Sequence, residues 1–96
     1  MMVVQVLLYK PDMKFGDLSL KIYDFEFAGD VLPMHEHDEK EVHISIVGRG
    51  KIKILGDGWE RELSSGQIID FEVGQKHEFV AMEDDSRIIN ILKNIK

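Results

Sequence analysis

His35 and His37 stand two residues apart, Glu41 follows four positions later, and His77 lies far down the chain. In an extended segment, residues i and i+2 leave the same face about 6 to 7 Å apart at the backbone, so two imidazoles at 35 and 37 can converge on one ion. Glu41 opens the next strand-like run and offers a hard oxygen, and His77 could close the shell if the chain folds back on itself. The sequence contains no cysteine, which excludes disulfides, thiolate ligands and a cysteine nucleophile and leaves a metal to imidazole and carboxylate. A metal that prefers five or six ligands would keep positions open for water, dioxygen or substrate. The competing reading of each histidine is a hydrogen-bonded, partly buried side chain with no ligand.

His43 shares the parity of Glu41, and an unbulged strand would point it into the same cavity. There it can position substrate or transfer a proton near neutral pH, or it is simply an interior histidine held by hydrogen bonds. Ser45 follows on that face. Val42, Ile44 and Ile46 then face outward, and a row of aliphatics on an outer sheet face needs cover, from a second subunit or from the chain's own Val3–Leu8 run. Trp59, Phe71 and Phe79 suit either an apolar ligand wall or ordinary core. Asp70 and Asn90 interrupt apolar runs and face either the cavity or solvent. Arg49 and Arg61 would suit an anionic substrate if they lined the mouth, surface positions being the ordinary alternative.

The elements that must position these residues are short runs rich in β-branched and aromatic side chains, closely spaced between turn residues, without helix-period stripes. The runs are Val3–Tyr9, Leu18–Phe27, Val31–His37, Glu41–Val47, Lys51–Ile54, Trp59–Leu63, Gln67–Val73, His77–Met82 and Arg87–Lys93. About nine strands in one all-β sandwich or barrel are predicted, with Glu83-Asp84-Asp85 as a solvated hairpin tip. Ninety-six residues, 44% hydrophobic and 31% charged, suit one small globular domain. A net charge of −6 disfavours nucleic acid and anionic membrane surfaces as partners. No apolar run approaches the roughly 18 to 20 residues of a membrane span, and Val3–Leu8 lacks the flanks of a signal peptide, so the expected location is cytoplasmic.

The glycine spacing adds a more specific signal. Gly29, His35-x-His37, Glu41 and Gly48 fall at the defined positions of the first motif of the cupin superfamily, and Gly66, Gly74 and His77 follow the second. The resemblance runs over 29–48 and 66–81 within a single domain spanning 1–96. Two positions depart from it: Glu72 stands where a proline is usual, which puts the rigidity of that turn in doubt, and Ala81 stands where an asparagine is usual. The resemblance implies a jelly-roll β-barrel of two antiparallel sheets holding one divalent transition metal, iron, manganese, nickel, copper or zinc, through His35, His37, Glu41 and His77. It implies a small metal-binding protein, either an enzyme of dioxygenase or isomerase type with His43 as acid or base, or a non-catalytic small-molecule-, sugar-binding or regulatory module. The Val42, Ile44, Ile46 row predicts a homodimer.

Overall fold

The computed structural model describes residues 7–8, 13–15, 18–35, 41–72 and 74–94, with the backbone alone at 7–8, 13–15, 34–35, 41 and 94. Ten strands follow in order: β1 (Leu7–Leu8), β2 (Met13–Phe15), β3 (Leu18–Phe25), β4 (Val31–His35), β5 (Glu41–Arg49), β6 (Lys51–Gly56), β7 (Trp59–Ser64), β8 (Ile68–Phe71), β9 (His77–Ala81) and β10 (Ser86–Asn94). One sheet of six strands runs β1-β3-β10-β5-β8, with β2 also on β3, and a second of four runs β4-β9-β6-β7. All the pairings are antiparallel. From β3 onward the chain changes sheet at every connection except the β6–β7 hairpin and so builds a jelly roll. No described helix is long and apolar enough to cross a membrane.

The expected count of nine missed β2, a three-residue strand between two turn-forming pairs, Pro11-Asp12 and Gly16-Asp17, that has too few residues to show alternation. Elsewhere the period of two in the sequence is the period of burial. On β9, His77, Phe79 and Ala81 are buried while Glu78 and Val80 are not, and on β10 Ser86, Ile88, Asn90 and Leu92 point inward. The two inner faces meet in one core of Phe25, Val47, Ile52, Ile54, Leu63, Phe71, Phe79, Ala81 and Ile88. At about 25 cal/mol per Å² of apolar surface, such burial is the main force holding the sheets together.

Turns fix the register. Asp57-Gly58 joins β6 to β7 in a two-residue loop, with Gly58 at φ 79°. Gly50, also left-handed at φ 75°, lies against the Ser86 side chain so closely that a Cβ there would collide with its Oγ. The acidic tip is exposed, as expected, but it carries the chain from β9 to β10 in the other sheet rather than closing a hairpin, and it is anchored. Asp84 Oδ1 accepts the Ala28 N–H at 2.8 Å and Asp85 Oδ1 accepts from Arg49 Nη2 at 2.9 Å, so the tip is tied to both the 26–30 turn and β5.

The outer face of the larger sheet carries a ladder of aliphatics. Leu20 and Ile22 on β3 pair with Ile91 and Ile89 on β10, which pair in turn with Ile44 and Ile46 on β5, and Ile46 pairs with Ile68 on β8. Ile68 is 60% exposed, and the other members are half-buried. Leu7–Leu8 adds to the edge of this sheet through β3 rather than crossing its face.

Candidate functional site

Two bulges set the register of the histidines. Leu32 pairs with Phe79 but His35 pairs with His77, so β4 carries one extra residue over that step. Pro33 lies in the bulge, on a strand at the sheet edge, where its missing N–H costs no ladder bond. The consequence is register: without the extra residue Met34 rather than His35 would stand opposite His77. The second bulge is at Gly48, skipped between the Arg87–Arg49 and Ile88–Val47 pairs, where a Cβ would press on Arg87 and Ile89. C-terminal to it β5 is out of step, whereas Glu41 to Val47 alternate without interruption, so His43 and Ser45 turn inward and are 2% and 0% exposed.

His77 is fully buried at the start of β9, paired with His35 on one side and with Gly56 on the other. Its Nδ1 lies 3.0 Å from the carbonyl oxygen of Gln75. A carbonyl can only accept, so Nδ1 carries the proton and the neutral ring keeps its lone pair on Nε2. Phe71 stacks on the His77 ring at 4.1 Å and 20°, and His43 stands 4.8 Å from both rings. The expected aromatic wall is therefore the packing that fixes the histidines, with Phe79 at 5.3 Å from His77 completing it.

The turn that delivers His77 is firm despite the missing proline. Gln75 N donates to Glu72 O at 3.0 Å, and Glu72 N donates to Gln75 Oε1 at 2.9 Å. A proline at 72 could not make the second bond. Gln75 thus both closes the turn and orients His77, a role with no signal in the sequence beyond its place before a histidine.

Behind His43 runs a buried chain of hydrogen bonds. Ser45 Oγ donates to Asn90 Oδ1 at 2.7 Å and lies 2.9 Å from His43 Nε2. Having given its proton to Asn90, the hydroxyl can only accept from His43, so His43 carries its proton on Nε2. Asn90, 1% exposed, therefore faces the interior, whereas Asp70, the other polar interruption, lies on the outer side of β8 and is exposed.

Of the proposed ligands, His77 is described completely, and His35 and Glu41 have their backbones placed on β4 and β5. His37 lies outside the described residues. Among the described residues no group of three or more His, Asp or Glu side chains converges to hold a metal. Arg49 is not available to a ligand: it donates to Asp85 and lies 3.8 Å from Asp24, which Arg87 clamps through two bonds of 2.7 and 3.0 Å. Arg61 lies on β7, the edge strand of the four-stranded sheet, and is exposed.

No family model and no curated protein matches the chain. Solved structures do. KdgF from a Halomonas species superposes with a TM-score of 0.73 and 26% identity over 96% of this chain and 77% of that one. An RmlC-like cupin from Desulfovibrio desulfuricans gives 0.74 and 19% over 90% and 80%. The chain has the cupin fold. A predicted oxalate decarboxylase from Thermotoga maritima, at 0.70 and 13% over 80% of this chain and 66% of that one, has the same barrel. In this chain the defined motif positions do structural work: Gly29, Gly66 and Gly74 take left-handed φ of 91°, 88° and 77°, and Gly48 makes the bulge.

Proposed function

We propose that this cupin binds one divalent transition metal through His35, His37, Glu41 and His77 and acts as a metal-dependent enzyme of dioxygenase or isomerase type on a small, oxygen-chelating metabolite. The observation that carries the proposal is the His77 tautomer: a buried imidazole whose Nδ1–H is committed to a backbone carbonyl presents Nε2 as a lone pair, the arrangement in which metal-ligating histidines are held. The β4–β9 register sets the backbone of His35, a second histidine of the motif, opposite His77. Nitrogen and carboxylate donors without sulfur suit iron, manganese, nickel, copper or zinc.

A bound metal of this kind would supply Lewis acidity toward a chelated oxygen substrate and, where redox-active, access to dioxygen. The chain's own residues supply the rest. Gln75 and Phe71 hold His77 in plane and tautomer. Ser45 and Asn90 hold His43 so that Nδ1 is the basic end of the ring, and His43 serves as the acid or base for substrate. Phe71 and Phe79 keep water from the rear of the site. The test is turnover of a panel of hydroxy acids, diketones and sugars by protein loaded with each metal. A non-catalytic binding module would instead show metal-dependent affinity with no product and no dioxygen consumed.

The aliphatic ladder is proposed to bind a second copy of the chain. It spans four strands, roughly 14 Å between the outermost strand axes, and carries no charge between its ends on β3, β10 and β5, while on β8 Asp70 stands at its edge opposite Ile44. A stable dimer buries about 800 Å² per partner with an apolar centre and a polar rim. Asp24, Arg87 and Lys93 at the ladder's ends supply such a rim.

A further inference from the structure

Among the described residues the barrel is open along one side, where β7 ends the four-stranded sheet and β8 ends the six-stranded one. Along this seam lies a cavity of about 260 Å³ lined by Trp59, Arg61, Ile69, Asp70 and Gln75. A second cavity, lined in part by Lys76, shares Trp59 and Gln75 with it. Arg61 pairs with Ile54 on the core-facing side of β7, which turns a guanidinium toward the seam rather than away from it. Among the described residues neither Arg61 nor Asp70 has an ion-pair or hydrogen-bond partner, and they do not pair with each other. Arg61 reaches this cavity from the core-facing side of β7 and Asp70 from the outer side of the edge strand β8, so the two opposite charges stand on opposite lips of its opening and can meet one molecule between them.

The donors decide its class. Arg61 offers a planar fork that fits a carboxylate in bidentate fashion. Gln75 has already spent Oε1 on the Glu72 N–H, so its amide nitrogen is the end with donors to give. Asp70 can only accept, and suits a hydroxyl. Trp59, seated on Gly56 so closely that a Cβ there would strike the indole, is a fixed apolar wall. The volume falls just below the usual range for drug-sized ligands. We propose that the seam between β7 and β8 is a binding site for a small hydroxycarboxylate, held by Arg61 at its carboxylate and by Asp70 at a hydroxyl. The site is distinct from the His77 centre yet shares a residue with it: the backbone oxygen of Gln75 orients His77, and Phe71 lies between Trp59, at 6.4 Å, and His77, at 4.1 Å.

Trp59 is the only tryptophan in the chain, so the tryptophan signal comes from the wall of this cavity, and EDTA separates binding here from binding at a metal-loaded His77 centre. Full-length protein in EDTA is titrated with gluconate and, in parallel, with sorbitol, its uncharged analogue. The expected result is a saturable change with gluconate, a Kd on the order of 1 mM or tighter, and binding of sorbitol at least about tenfold weaker. Arg61→Gln should weaken gluconate about tenfold or more, with Arg61→Lys recovering part of the loss and the circular dichroism of both unchanged. No saturable change in EDTA, equal affinity for gluconate and sorbitol, or an Arg61→Gln protein that binds gluconate as before would each overturn the proposal. A response that appears only when metal is restored would place gluconate at the His77 centre, overturning the seam site while leaving the metal proposal standing.

Discussion

Replacing Ser45 with alanine removes one hydroxyl and leaves two buried groups without their partner, the Nε2–H of His43 and the Oδ1 of Asn90, at 2.9 and 2.7 Å from the lost atom. All three residues are at most 2% exposed, so water cannot replace the bond without opening the barrel. Each orphaned group costs about 1 to 3 kcal/mol, and the void left by one oxygen is small, so Ser45→Ala should destabilise by about 2 to 6 kcal/mol. Urea unfolding followed through Trp59 measures it, and on the scale of a domain this size the thermal midpoint should fall by about 10 °C or more. Ser65→Ala, on an exposed turn, is the matched control and should stay within about 0.5 kcal/mol. Because Ser45 and Asn90 act as one chain, Ser45→Ala combined with Asn90→Leu should cost less than the sum of the two single changes. A loss under about 0.5 kcal/mol for Ser45→Ala, or strict additivity, would refute the buried relay and with it the assigned tautomer of His43.

Gly50→Ala should destabilise by at least about 1 to 3 kcal/mol in the same unfolding assay, since it combines a left-handed φ with a collision against Ser86. Ile44→Asp, at the centre of the aliphatic ladder, should convert a dimer to a monomer in light scattering; a monomeric wild type near 11 kDa, or a dimer that survives the change, would place the contact elsewhere or nowhere. His43→Ala should keep its metal and lose about 10² to 10⁴ in turnover on any substrate the panel identifies, and full activity would remove His43 from the chemistry.

Much of this was legible from residue order. Alternation placed His43 and Ser45 inward on β5, and glycine spacing marked the turns at 29, 66 and 74, because backbone angles that exclude a Cβ leave a sequence trace. The bulge at Pro33 left none: the period of two, continued through it, would set Met34 opposite His77, and only the β4–β9 pairing reveals the extra residue. The relay was half visible. Asn90 interrupts an apolar run, but so does Asp70, and which of the two turns inward depends on strand register, which one sequence does not encode locally. Gln75 was invisible because it orients His77 through a backbone carbonyl that any residue would carry, and its side-chain bond to the Glu72 N–H belongs to a turn that no motif position marks. The partners of the acidic tip lie far away in sequence, on the 26–30 turn and at Arg49. Long-range pairing of this kind decides whether a solvated charge run is also anchored.

Metal content decides whether the histidines form a centre. Protein purified without an affinity tag, loaded with each candidate metal at neutral pH and freed of excess, should hold one equivalent per chain by elemental analysis. His77→Ala and His35→Ala should each lose most of that occupancy, while Lys93→Ala, at an exposed position on β10, should match the wild type. Equal occupancy in all four proteins, or no retained metal in the wild type, would contradict the assignment of His35, His37, Glu41 and His77 as ligands.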